Sequence, residues 1–307
     1  MTHNQAINGP TDRASVDDEG IQQVGRFHVL ADNPGKRRTE IIYLVWFVIA
    51  LPTQLLVMMN LSYDRPNDPL LLGQAVPVAL GTLILPLVFR AREDRGRALP
   101  ELYGFRMAVF LVIWASLGGF IGTDPWYEVL HGHFAFNTDL NPNGVPLFML
   151  ANTITIFSLY SVILGVAYRV IVQLLDRSGT VLSRDSVTRH VILCIVLAPL
   201  MPLAETFAYT SSNYCFDNSA GMWGLNVLVY GAWHFAALLF YPRWDEEPGQ
   251  RTSLGTTIVS GFATLGIIMV LMAITKTFIA PHFVDVQHGV RQINDWSTEN
   301  CLGPRPQ

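Results

Sequence analysis

Charged side chains are scarce in this sequence. Asp, Glu, Lys and Arg supply 14% of its 307 residues, where a soluble domain carries about a quarter, and apolar residues supply 50%. That balance excludes an ordinary soluble domain. Cysteine is also rare: the 3 present show no zinc or redox spacing, although Cys215 and Cys301 fall on one side of the topology below and are candidates for a disulfide. No nucleophile elbow, phosphate-cradling glycine loop, HExxH or dinucleotide fingerprint occurs, which removes several enzyme classes. No basic stripe interleaved with aromatics is present at a net charge of −4, so nucleic acid is not an expected partner. The first 35 residues lack an apolar core, so no secretory leader is expected and a disordered tail is.

Long apolar runs are abundant. A helix needs about 20 residues to cross a hydrocarbon core of about 30 Å, and seven runs of that order recur at about 41–63, 70–90, 105–123, 146–174, 187–209, 219–241 and 254–280. The expectation is an all-α polytopic membrane bundle of about seven helices, a single domain over 36–285 followed by a C-terminal tail at 286–307. Basic residues orient it. Lys36, Arg37 and Arg38 precede the first run, Arg90, Arg92, Arg95, Arg97 and Arg106 surround the second link, Arg169, Arg177, Arg184 and Arg189 the fourth, and Arg243 and Arg251 the sixth. The alternate links carry Arg65 alone, which predicts a cytoplasmic N-terminus and an outer or lumenal C-terminus.

Ionisable groups at membrane depth are costly and become functional candidates. In LAPLMPLAETFAYT, Leu197 to Thr210, Pro199 and Pro202 should bend the fifth span just before Glu205. Glu205 is then either an interfacial residue after a kink or an acid or base facing an internal cavity. Asn226, Tyr230, Trp233 and His234 recur at helical spacing on one face of the sixth span, as packing or as a cavity wall. Lys276 either reaches the interface or pairs with Glu205. The outer link TDPWYEVLHGHFAFNTDLNPNGVP supplies Asp124, Tyr127, Glu128, His131, His133 and Asp139, and its apolar content suggests a lid lying in the interface. Its HGH lacks a third ligand at a fixed offset, so no metal is expected.

NPGKRRTEIIYLVW, Asn33 to Trp46, resembles the opening of the cycloeucalenol cycloisomerase (cyclopropyl sterol isomerase) family, where an Asn-Pro-x-Lys-Arg-x-x-Glu pattern leads into the first span. REDR (Arg92 to Arg95), AETFA (Ala204 to Ala208), PRWDE (Pro242 to Glu246) and NCL (Asn300 to Leu302) are similar to later segments in the same order, over about residues 33 to 302. The chain differs where Leu147, Ile154, Ser161 and Asp124 stand at the approximate places of family histidines.

The resemblance implies an isomerase that opens the 9β,19-cyclopropane ring of a cycloeucalenol-like sterol to a Δ8 sterol. No cofactor is required. Glu205 would give or take the proton with Asp124 or Tyr127 as partner, while Trp126, Trp223, Asn226, Tyr230, Trp233 and His234 would line the sterol cavity. Asn33, Lys36, Arg37 and Glu40 fall at the other membrane face, as a structural or anionic-lipid anchor. Membrane lipids and a sterol or triterpenoid are the expected partners. Because architecture does not fix activity, the alternative is a non-catalytic sterol-binding or transport protein. For the topology, cysteines placed in the 211–218 link are expected to react with an impermeant thiol reagent only from the outer side; labelling from the cytoplasm would overturn the seven-span count.

Overall fold

The computed structural model describes residues 28–58, 60, 66–122, 132–134, 138–142, 145–178, 186–209, 214–216, 219–279 and 281. They form a bundle of membrane-length helices with one pair of short strands. The helices are α1 (Pro34–Met58), α2 (Asp68–Val88), α3 (Tyr103–Leu111), α4 (Leu147–Ser178), α5 (Ser186–Leu197), α6 (Leu200–Tyr209), α7 (Ser219–Leu238) and α8 (Leu254–Ile274). α3 continues through a π-helical turn, Val112–Leu117, to Gly122, and α8 runs into a second, Thr275–Ile279. The strands β1 (Gly132–Phe134) and β2 (Tyr214–Phe216) pair antiparallel.

Among the described residues, six helical segments are long and apolar enough to cross a membrane, α5 and α6 counting together as one. α1 makes the seventh, with no charge from Ile41 to Met58. The chain is a multi-pass membrane protein. Ladder-satisfied helices are the form an apolar chain takes where water cannot serve the backbone.

Three boundaries differ from the sequence reading. α1 begins at Pro34, well before the apolar run, because Asn33 Oδ1 accepts from the Gly35 and Lys36 N–H groups at 3.0 and 3.4 Å while proline, with no donor to lose, holds the first helical position. The folded part begins at least by His28, inside the expected tail: Gln173 exchanges two hydrogen bonds with the His28 backbone, and the Asp32 and Asn33 N–H groups donate to the Glu246 carbonyl at 3.1 and 3.0 Å. The fifth span divides at Ala198 and Pro199. Pro199 and Pro202 lack the donors that the Ile195 and Ala198 carbonyls would use, so the ladder cannot continue there. Pro77 and Pro86, by contrast, stay inside α2.

Packing follows membrane rules, in which small residues let backbones approach and polar side chains bridge helices. Trp46 of α1 donates to the Val78 carbonyl of α2 at 3.0 Å, and Gly81 leaves room for its indole, which a Cβ would overlap. Thr82 of α2 and Thr155 of α4 share a hydrogen bond of 2.8 Å. The core centres on Phe110, Trp114, Phe157, Leu164, Val229 and Tyr241.

At the end where α1 starts, charges are buried and paired. Lys36 Nζ donates to Glu246 Oε1 at 2.5 Å and to the Trp244 carbonyl at 2.7 Å. Arg169 of α4 bonds Glu40 through Nη2 at 2.8 Å and Glu246 through Nε at 2.8 Å, and its Nη1 reaches the Val29 carbonyl at 2.5 Å. Burial pushes the Glu246 carboxyl upward, but Lys36 and Arg169 outweigh it and hold the group below the ordinary glutamate value. Arg106 of α3 is ion-paired with Asp245, whose positive φ of 48° is fixed by a hydrogen bond from Thr252 N to its Oδ1 at 2.7 Å. Removing one partner of such a cluster strands the others. Arg169→Met is expected to destabilise the protein by about 3–5 kcal/mol, read as a lowered unfolding midpoint in detergent, whereas Arg251→Met, on the exposed link, leaves it unchanged.

Candidate functional site

Glu205 sits on α6, six residues beyond the helix break, and is half-buried. Its Oε2 accepts a hydrogen bond from the Tyr160 hydroxyl of α4 at 2.9 Å, so its side chain engages the bundle interior. The break sets this approach. α6 packs on α7, and a Cβ added at Gly231 of α7 would come within van der Waals distance, 3.8–3.9 Å, of the Ala198 and Pro199 backbone.

Tyr160 also touches an imidazole. The Tyr160 and His234 rings meet edge to face with centroids 5.4 Å apart. Around His234 stand Phe157 at 5.2 Å, Tyr230 at 5.3 Å and Trp114 at 5.7 Å. His234 is 0% exposed, and neither of its ring nitrogens has a hydrogen-bond partner among the described residues. Burying an imidazole without partners costs free energy that packing must offset, and such groups are frequent where chemistry is done. Trp114 lies buried in the π-helical turn of α3, and its indole N–H donates to the Trp233 carbonyl at 3.1 Å, joining α3 to α7.

The sequence placed Tyr230 and His234 on one face, and both do border this layer. Asn226 is buried on α7 as well, at 1% exposure. Trp233 and His234 are both buried among neighbouring side chains, so they pack rather than line an open chamber. Trp233 lies against Gly118 and Gly122 of α3. The Trp223 side chain, Asp124, Trp126 and Tyr127 lie outside the described residues, as do the side chains of His133 and Cys215 and all of Cys301. Lys276 is exposed on the π-helical end of α8. Among the described residues no group of His, Cys, Asp or Glu is arranged to hold a metal ion.

Two described segments of the link between α3 and α4 are held by neighbouring elements. Gly132 to Phe134 pairs with Tyr214 to Phe216, the segment that follows α6. Asp68, at the start of α2, accepts from the Asp139 and Leu140 N–H groups at 2.8 and 3.3 Å and from the Thr138 hydroxyl. The link therefore reaches the segment following the helix that carries Glu205.

A narrow cavity of about 10 Å3, bordered by Lys36, Glu40, Tyr43, Ser161, Val162 and Tyr241, runs from the start of α1 to the turn of α4 beside Tyr160 and has room for about one water. It is far too small for a fused-ring lipid. Glu205, Tyr160 and His234 are the sequence-predicted and newly found polar groups that the structure brings together. Sequence reasoning missed Tyr160, Trp114 and Phe157, since an aromatic inside an apolar span carries no signal until a partner helix is known; the spacing of Phe157 and Tyr160 on one face of α4 was the available hint.

No protein-family model matches the chain, and no curated protein or solved structure is significantly similar to it.

The close α3–α7 approach has a direct test. A Cβ on Gly122 would overlap the Trp233 indole. Gly122→Ala is expected to cost about 1–3 kcal/mol by overpacking, measured as a lower thermal midpoint in detergent, while Gly73→Ala, whose Cβ would meet nothing within 4 Å, should be neutral or mildly stabilising.

Proposed function

We propose that the chain is an isomerase that opens the 9β,19-cyclopropane ring of a cycloeucalenol-like sterol to a Δ8 sterol. The observation that carries the reading is the hydrogen bond from the Tyr160 hydroxyl to Glu205, beside the unpartnered His234. Its substrate class rests on the resemblance of NPGKRRTE and the later motifs to the cyclopropyl sterol isomerases. The N-terminus is taken as cytoplasmic, following the distribution of arginines.

The reaction moves one proton on and one off, so no electrons enter or leave. A protonated Glu205 delivers its proton to the ring methylene, the bond from C9 to C19 breaks, and C19 becomes a methyl group. Positive charge develops at C9. Loss of the proton at C8 then forms the double bond, with Asp124 or Tyr127 as the partner that takes it, as the resemblance implies. Tyr160 orients the carboxyl group by donating to its Oε2 at 2.9 Å. A water-poor setting protects the cation from capture. The face of the half-buried Tyr230 suits a passing cation, at roughly 0.5–2 kcal/mol. Access from the bilayer fits the exposed Leu203 and Ala204 beside Glu205.

The close packing of Trp233 and His234 favours one second reading, a sterol-binding or transport protein that performs no chemistry. Sterol analysis separates the two. In a host lacking its own isomerase and supplied with cycloeucalenol, the unmodified chain is expected to yield the Δ8 product. Glu205→Gln should abolish that product, and Tyr160→Phe should lower it by about 10- to 100-fold. Full activity in Glu205→Gln removes the proposed acid, and sterol retention without conversion by the unmodified chain favours the binding protein.

A further inference from the structure

The first motif faces two ways. Asn33, Lys36 and Glu40 turn into the buried ion network, while Arg37 and Arg38, between them in sequence, are exposed. Beside them the link after α2 brings up Arg90, Arg92 and Arg95. Together they border a groove of about 450 Å3, five arginines against the single acid Glu93, with Pro34 and Ile41 completing its wall. Like charges gathered this closely repel one another unless an anion is present.

The arginines are held in place. Arg38 Nε donates to the Phe89 carbonyl at 3.0 Å, which fastens α1 to the end of α2. Asp94 is buried against Gly35, where any Cβ would collide with its carboxylate, and it accepts from Arg97 Nη1 at 2.5 Å. The short 3-10 turn Arg92–Asp94 is thereby pinned to the start of α1, with Arg92 and Arg95 directed outward. No ion pair within the described residues engages Arg37, Arg90, Arg92 or Arg95.

We propose that this groove binds the phosphate headgroup of an anionic phospholipid in the leaflet where α1 begins. Guanidinium forks match phosphate oxygens in geometry and charge. A free phosphate ester offers the same chemistry, but the position favours a lipid. The groove opens where two spans meet the interface, and Val45, Val88 and Phe89 next to it are exposed, as a surface for an acyl chain would be. The groove lies at the opposite end of the bundle from Glu205, so it is independent of the proposed reaction.

Native mass spectrometry of the detergent-purified chain tests this with phosphatidylglycerol, phosphatidylcholine and free glycerol phosphate. The expected result is retention of phosphatidylglycerol over phosphatidylcholine, weakening as salt rises, with little binding of glycerol phosphate. In the Arg37→Gln/Arg92→Gln/Arg95→Gln variant, phosphatidylglycerol affinity should fall about tenfold or more, and in Arg92→Gln by a smaller step, while Arg251→Gln leaves it unchanged. Unaltered affinity in the triple variant overturns the proposal, as does equal binding of the two lipids or salt-independent binding. Glycerol phosphate binding as well as the lipid would reassign the groove to a soluble ester and overturn the lipid. Should the triple variant fail to fold, the Arg92→Gln step and the salt dependence of the unmodified chain decide.

Discussion

One guanidinium, that of Arg169, holds the basic end of this bundle together. It lies on α4 and grips Glu40 of α1 and Glu246 of the link between α7 and α8, while its third nitrogen takes a carbonyl from the residues preceding α1. Helices in lipid gain little from hiding apolar surface from each other, so directional contacts of this sort decide which neighbours meet. Planar forks satisfy two carboxylates at once, as a single ammonium does not. Lys36 supplies the second positive charge, so two cations face two carboxylates and each is partnered.

The sequence motifs sort themselves by this arrangement. Every residue of NPGKRRTE has a physical role. Asn33 caps, Pro34 starts the helix, Gly35 admits Asp94, Lys36 and Glu40 pair inward, Arg37 and Arg38 face out, and the Thr39 hydroxyl donates back to the Gly35 carbonyl at 3.0 Å. REDR contributes Asp94, and PRWDE contributes Asp245 and Glu246. Three segments far apart in the chain therefore describe a single end of the fold, remote from Glu205. Architecture accounts for them without any appeal to chemistry.

Legibility differed between levels. Class and span number followed from apolar runs, because length against bilayer thickness is a strong constraint. The start of α1 did not, since its first turn is rich in charge, and only its distant partners Arg169 and Glu246 explain how that turn is buried. Proline read well at Pro199, where the span divides, and less well at Pro77 and Pro86, where α2 continues. In the candidate site Glu205 and His234 were visible as polar groups in apolar surroundings. Tyr160, which connects them, was one aromatic among many, and its role needed the crossing of α4 with α6 and α7.

The division of the fifth span gives α6 a mechanical property. It has 10 residues, and a rise of about 1.5 Å per residue puts its carboxylate about 9 Å from the pivot at Pro199. A tilt of about 15° would carry that group about 2 Å, enough to exchange one hydrogen-bond partner for another. With β2 joined to β1 just beyond it, such a tilt would also shift the strand pair.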